Sequence, residues 1–299
     1  MTVQHKGSLM AVFDAICASG EVSRAAIADM TGFSLMSVGK AVDKLLTSGI
    51  VTEKKLAGGG VGRKSGAVSL EKSRGMILFD LTDSPRVIAA DIENNIIAER
   101  EGADVGELML FAMSALFEAG CSEIMGTAAI VPQGKADEAR QLLDGAIGEL
   151  PVMLISPSRA AAYANAKRFD FSEMAMFFTV DNCGRIDGAL MYGDAVYTGA
   201  HGRGGDFTML CLTRNAFADR ISDICLITDP ELIYVSCECE SDVEGIAEAL
   251  SLALGERGFS DDVAINVIVE LSDTCKSALD GAAFLLRERY VAAKIPNNT

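Results

Sequence analysis

Ser34, Leu35, Met36, Ser37 and Lys40 open one stretch of helical periodicity, and Arg63 and Lys64 follow the glycine-rich run GGGVG at 58–62. These residue types suit contact with a nucleic-acid duplex. Ser37 can bond a base edge or a phosphate, Lys40 a phosphate or a guanine, and Leu35 and Met36 offer apolar contact to a thymine methyl. Two cations on a glycine-rich tip can reach a phosphate or a narrow minor groove.

The elements that would carry these residues are legible around them. Met10, Val12, Phe13, Ile16 and Cys17 recur at helical spacing until Ser19 and Gly20. Ser23 reads as the N-cap of a short helix over 24–30, residues 31–33 as a tight turn, and Ser34 as the cap of a third helix. That helix carries an apolar stripe of Val38, Ala41, Val42, Leu45 and Leu46 and ends at Gly49. Strands at 50–55 and 67–70 flank the glycine-rich tip. Helix, helix, turn, helix and β-hairpin is the order of a winged helix-turn-helix, whose third helix enters the major groove. Two alternatives stay open at this point. Such a unit can dock on protein, and a glycine-rich loop can cradle phosphate, although this loop joins two strands instead of opening a helix.

Charge divides along the same line. The chain has 299 residues and a net charge of −16, yet residues 1–75 hold ten Lys/Arg against six acids, a balance of +4, leaving −20 for the rest. One part is suited to phosphate and a larger part is not. Apolar residues at 49% and charged residues at 23% allow a sizeable core. The polar start of the chain and the lack of a run of about 18 apolar residues predict a cytoplasmic protein with no membrane partner. Eight scattered cysteines read as reduced, mostly buried thiols. Met109, Met113 and Met176 lie in apolar runs and read as core, and 240–254 and 261–279 read as amphipathic helices.

Residues 21–34 (EVSRAAIADMTGFS), the third helix and Gly62, Arg63 and Lys64 resemble the N-terminal domain of ROK-family transcriptional regulators. In that family a winged helix precedes a two-lobed sugar-kinase-like domain. The remainder continues the resemblance more weakly, through 76–80, 87–99, 126–132, 176–193, 198–206 (TGAHGRGGD) and 229–235. The resemblance implies an N-terminal winged helix-turn-helix (α with a β-hairpin wing), then a shortened α/β two-lobed domain of the actin/hexokinase, ribonuclease H-like fold. Expected domains are 1–72, 73–170 and 171–299, with an interlobe hinge near 165–175.

Kinase chemistry does not carry over. Phosphoryl transfer needs close backbone approach to phosphates and a carboxylate base at the sugar hydroxyl. After Asp80, the family's glycines and threonine give way to 81–85 (LTDSP), in a loop one residue shorter, where Asp83 would repel phosphate. In the second phosphate segment Asn182 and Ile186 stand where glycines are expected. Ser158 occupies the base position before the alanine-rich helix over 159–165, and a serine of ordinary pKa cannot serve. Residues 206–210 (DFTML) replace the stretch that holds the family's zinc-binding histidine, and its cysteine cluster is missing. Cys237 and Cys239, with no nearby Cys or His, read as half-buried residues at a strand end. No enzyme activity, metal or cofactor is therefore expected.

The candidate effector cleft comprises Ser158, Arg159, His201 and Asp206, with Asp206 in place of the sugar-binding glutamate. Arg159 and Arg185 offer groups for an anionic ligand. The expected function is transcriptional regulation, more readily repression, through a pseudo-palindromic double-stranded operator bound by a homodimer or higher homo-oligomer, with a sugar or sugar derivative as effector. The rival readings are a sugar kinase with an added domain, a protein-docking scaffold, and a DNA binder without an effector.

Overall fold

The computed structural model describes residues 8–55, 66–132, 134–148, 150–169, 171–259 and 265–295. Arg63, Lys64 and the rest of the expected wing tip lie outside the described residues. No described helix is long and apolar enough to cross a membrane.

The first unit comprises α1 (Ser8–Ser19), β1 (Glu21–Ser23), α2 (Arg24–Thr31), α3 (Leu35–Thr47), β2 (Val51–Lys55) and β3 (Gly66–Leu70). Its caps are those expected: Ser23 Oγ accepts from the Ala26 amide, and Ser34 Oγ from the Ser37 amide. Gly32 ends α2 at φ 70°, a left-handed conformation that favours glycine. Val38, Ala41, Val42 and Leu45 bury one side of α3 against Val12, Phe13, Ile16 and Ile27. The strand β1, too short to register as periodicity, pairs antiparallel with β3 and makes the wing sheet three-stranded, in the order β1-β3-β2.

Two five-stranded sheets follow. The first contains β4 (Arg74–Asp80), β5 (Arg86–Asp91), β6 (Ile96–Glu101), β7 (Glu123–Ile130) and β8 (Val152–Ile155), in the order β6-β5-β4-β7-β8. The second contains β9 (Met174–Val180), β10 (Ile186–Tyr192), β11 (Ala195–Val196), β12 (Leu232–Cys237) and β13 (Asn266–Leu271), in the order β11-β10-β9-β12-β13. In each, three strands pair antiparallel and two more add in parallel. The same arrangement made twice is the two-lobed plan of the actin/hexokinase-like fold.

Helices α4 (Val105–Glu118) and α5 (Ala136–Ile147) cover one face of the first sheet, burying Leu108, Met109, Ala112 and Leu143 against Ile77, Phe79 and Ala129. In the second lobe, α7 (Arg214–Thr228) and α8 (Glu240–Glu256) pack on Met176, Phe178 and Val235. Between the lobes lie α6 (Pro157–Ala166) and α9 (Thr274–Lys294). Ala160, Ala161, Ala282 and Leu286 meet the first sheet, while Ala162, Tyr163, Phe284 and Leu285 meet the second. A Cβ on Gly281 would fall 1.7 Å from the Ala160 carbonyl oxygen, so the two helices approach as only a glycine permits.

Two expectations are corrected. Part of the helix expected over 261–279 is the parallel edge strand β13, where the β-branched run Val267, Ile268 and Val269 pairs with β12. The last helix, α9, packs on the first sheet as well as on the second. Met109 and Met176 are core residues, but Met113 is exposed beside Leu110 and Phe117 on the outer face of α4.

Candidate functional site

Two surfaces gather the residues singled out above. On the first, the N-terminal turn of α3 projects from the winged helix. Ser34, Leu35, Met36 and Lys40 are exposed and Ser37 is half-buried. The cap that starts the helix also brings Ser34 Oγ within 3.0 Å of Ser37 Oγ. Lys40 and Lys44, one turn apart and both exposed, enter no ion pair among the described residues. Arg24 is committed elsewhere. Its guanidinium donates to both carboxylate oxygens of Glu53 at 3.0 Å and lies 2.8 Å from Asp43, bracing α2, α3 and β2.

The second surface is a cleft of about 1020 Å³ between the lobes. It opens at the carboxyl ends of the parallel strands β7 and β8, where open α/β sheets place ligands. Arg159 of α6 projects into it and bridges to the glycine-rich segment of the second lobe. Its Nη2 donates to the carbonyls of Gly202 at 3.0 Å and Gly204 at 3.1 Å, and its Nε lies 3.6 Å from Asp206 Oδ2. Asp206, with its side chain 2% exposed, accepts from the Thr208 amide through Oδ1. Gly205 holds this segment in a sharp turn at φ 69°, and a Cβ there would meet the Tyr197 carbonyl oxygen at 2.5 Å.

Of the four expected cleft residues, Arg159 and Asp206 line the cavity and touch each other. Ser158 does not line it: its side chain is buried in the first turn of α6, with Oγ 3.3 Å from the Oγ of Ser156, which stands at the rim. His201 is exposed on the loop, and its neighbours Gly202 and Arg203 form the wall. Arg185 lies apart, 3.1 Å from Asp181 and 3.6 Å from Asp187.

The cleft also includes residues that the sequence reading did not assign to it. Met10 of α1 forms part of its wall, next to Tyr163, Leu285 and Glu288. Lys167, just past α6, bonds Glu288 at 2.7 Å and Asp14 of α1 at 3.3 Å. Burial pushes the Tyr163 phenol above its ordinary range, so it stays protonated. The winged helix is tied to the lobes by a second seam. Arg74 donates to the Gly49 carbonyl behind α3 and, at 2.8 Å, to Tyr290 Oη, which in turn donates to Glu123 at 2.7 Å.

In the two loops that the family resemblance assigns to phosphate, backbone amides are occupied by this chain's own carboxylates. Asp181 Oδ1 accepts from the amides of Cys183 at 2.9 Å and Arg185 at 2.8 Å, and Glu238 Oε2 accepts from the Asn182 amide at 3.0 Å. In the first loop, Asp80 Oδ1 accepts from the Thr82 amide and hydroxyl, and Asp83 is exposed at the tip. Glu238 and Asp273 line the shallow cavity beside the second loop. An anion placed there would meet carboxylates instead of free N–H groups. Cys237 is buried within β12, while Cys239 precedes α8 with its sulfur 3.0 Å from Ser241 Oγ.

No protein-family model and no curated protein matches the chain. Among solved structures it is similar to a ROK family transcriptional regulator described as a homologue of the E. coli MLC protein. That match has a TM-score of 0.66 at 12% identity and covers 97% of this chain and 98% of the other. A ROK hexokinase from Thermus thermophilus matches with a TM-score of 0.50 at 18% identity, over 70% of this chain and 97% of its own. At these identities the likeness is one of fold. Along nearly its whole length, the chain has the fold of a ROK transcriptional regulator: a winged helix-turn-helix followed by a two-lobed actin/hexokinase-like domain.

Proposed function

We propose that this chain is a DNA-binding transcriptional regulator of the ROK type, without kinase activity, acting as a homodimer on an inverted-repeat operator. The observation that carries the reading is the free N-terminal turn of α3, presented by the basic part of a strongly acidic chain. The acidic body cannot lie along phosphate, so it orients the winged helix toward the duplex by repulsion as well as attraction. Arg63 and Lys64, which lie outside the described residues, are the further cations that this reading assigns to phosphate contact. Two half-sites supply affinity and register that one small module lacks, and a bound homodimer occluding a promoter accounts for repression.

Absence of phosphoryl transfer is supported by the carboxylates that occupy the loop amides and by Ser158, a serine at the position where a carboxylate base is needed. The cleft serves instead as an effector site for a sugar or sugar derivative, with Asp206 and Arg159 as its polar floor. Because Met10 and Glu288 share its wall, a ligand there presses on α1 and shifts the winged helix, which gives it differential affinity for two arrangements. The test pairs two assays on the full chain. Incubation with ATP and a panel of hexoses should yield no sugar phosphate, while a random duplex pool should be retained at low salt and released as salt rises. ATP-dependent sugar phosphorylation would overturn the reading.

A further inference from the structure

Leu35 and Met36 are 63% and 71% exposed, although the opposite side of α3 already fills its core with Val38, Ala41, Val42 and Leu45. Neither side chain is needed for packing. One turn beyond Leu35 stands Gly39, in the interior of the helix, where glycine costs about 1 kcal/mol relative to alanine. Nothing inside the chain requires that glycine: its φ is not in the left-handed region, and an added Cβ would meet only Arg24 Nη1, at 3.8 Å. That guanidinium also donates to the Gly39 carbonyl at 3.5 Å and pairs with Asp43, and it is the one group over the glycine among the described residues. A residue that weakens its helix without relieving a clash suits close approach of a partner along this flank. Beside it, Lys40 and Lys44 supply positive charge on the same helix. The N-terminal turn carries no Arg, Asn or Gln, the side chains that read guanine or adenine through paired hydrogen bonds.

We propose that α3 reads its half-site chiefly through thymine methyl groups, with Leu35 and Met36 as the apolar contacts and Gly39 admitting the groove wall. This inference rests on the DNA-binding reading above. It is deepened by a definite chemistry: the 5-methyl of thymine is the one alkyl group on the base edges of the major groove. Lys40 and Lys44 hold the flanking phosphates and carry no sequence information.

The experiment uses the full chain and a duplex selected from a random library. Each thymine is replaced in turn by deoxyuridine, which removes the methyl and keeps every hydrogen-bonding group. At one or more positions per half-site, wild-type affinity should fall roughly fourfold, the value of one buried methylene-sized group. In Leu35→Ala or Met36→Ala the same replacement should have no effect, which separates contact from altered duplex flexibility. Gly39→Ala should raise the melting temperature yet weaken operator binding by tenfold or more, so the loss cannot be assigned to misfolding. Wild-type binding indifferent to every uracil replacement overturns the inference and leaves DNA binding intact. Failure to retain any duplex overturns both, and the exposed Leu35–Met36 surface would then belong to a protein contact.

Discussion

The Arg159–Asp206 pair shows how a residue's apparent chemistry depends on its partners. A carboxylate facing a cleft suggests ligand binding, but here it lies 3.6 Å from a guanidinium that also holds two carbonyls of the opposite lobe. The pair latches the lobes as much as it offers a floor to a ligand. Arg168, Tyr234 and Glu270 form another such group. Arg168 Nη1 bonds Glu270 at 2.5 Å and Tyr234 Oη at 3.0 Å, and Tyr234 donates to Glu270 at 2.8 Å. The hydrogen bond from Arg168 holds the Glu270 carboxyl below its ordinary range. A depressed folded-state pKa contributes stability that is complete above the unfolded glutamate pKa and is lost as pH falls through the lower folded value. Glu270→Gln should therefore melt lower than wild type at neutral pH, with the difference closing on acidification. A difference independent of pH would show that the charge is not involved. Thiol reactivity should separate similarly: Cys183 and Cys211 are exposed and should react with a water-soluble reagent in the native state. Cys225, which burial pushes up to about 12, should react only after unfolding.

At the scale of elements, legibility followed the range of the forces involved. The caps Ser23 and Ser34, the turn at Gly32 and the stripe of α3 are decided within a few residues, and the sequence reading located them. Ser34→Ala should cost about 1 kcal/mol in thermal or denaturant unfolding; no measurable change would mean that the cap is redundant. β13 escaped because a short apolar run reads equally as a buried helix or a strand, and only its partner β12 decides. Ser158 was placed in the cleft because it resembles the family's base position, which fixes its place along the chain but not the direction of a side chain in the first turn of α6. The crossing of α6 and α9 was invisible for a different reason, since Ala160 and Gly281 meet only in the folded chain. Gly281→Ala should force the helices apart and destabilise the protein by about 1–3 kcal/mol, whereas an unchanged melting temperature would show that the crossing can relax.

Across the whole molecule, α6 and α9 connect three bodies. They touch both sheets, and their cleft-facing residues Tyr163, Leu285 and Glu288 lie with Met10 in one wall. The fold class was legible from the order of its motifs, but this junction was not, because the residues that build it come from both ends of the chain. It gives a cleft ligand a direct path to α1, while the Arg74–Tyr290–Glu123 seam anchors the turn behind α3. Filling the wall from the protein side should imitate a ligand: Met10→Trp should change operator affinity at constant fold, and unaltered affinity would argue against coupling through that wall. The most direct test of the central claim is selection of bound sequences from a random duplex library by the purified full chain at two salt concentrations. The account predicts an inverted repeat, recovered more strongly at low salt and lost in the Arg63→Ala, Lys64→Ala variant. No enrichment at either salt, with or without a panel of sugars, would contradict it.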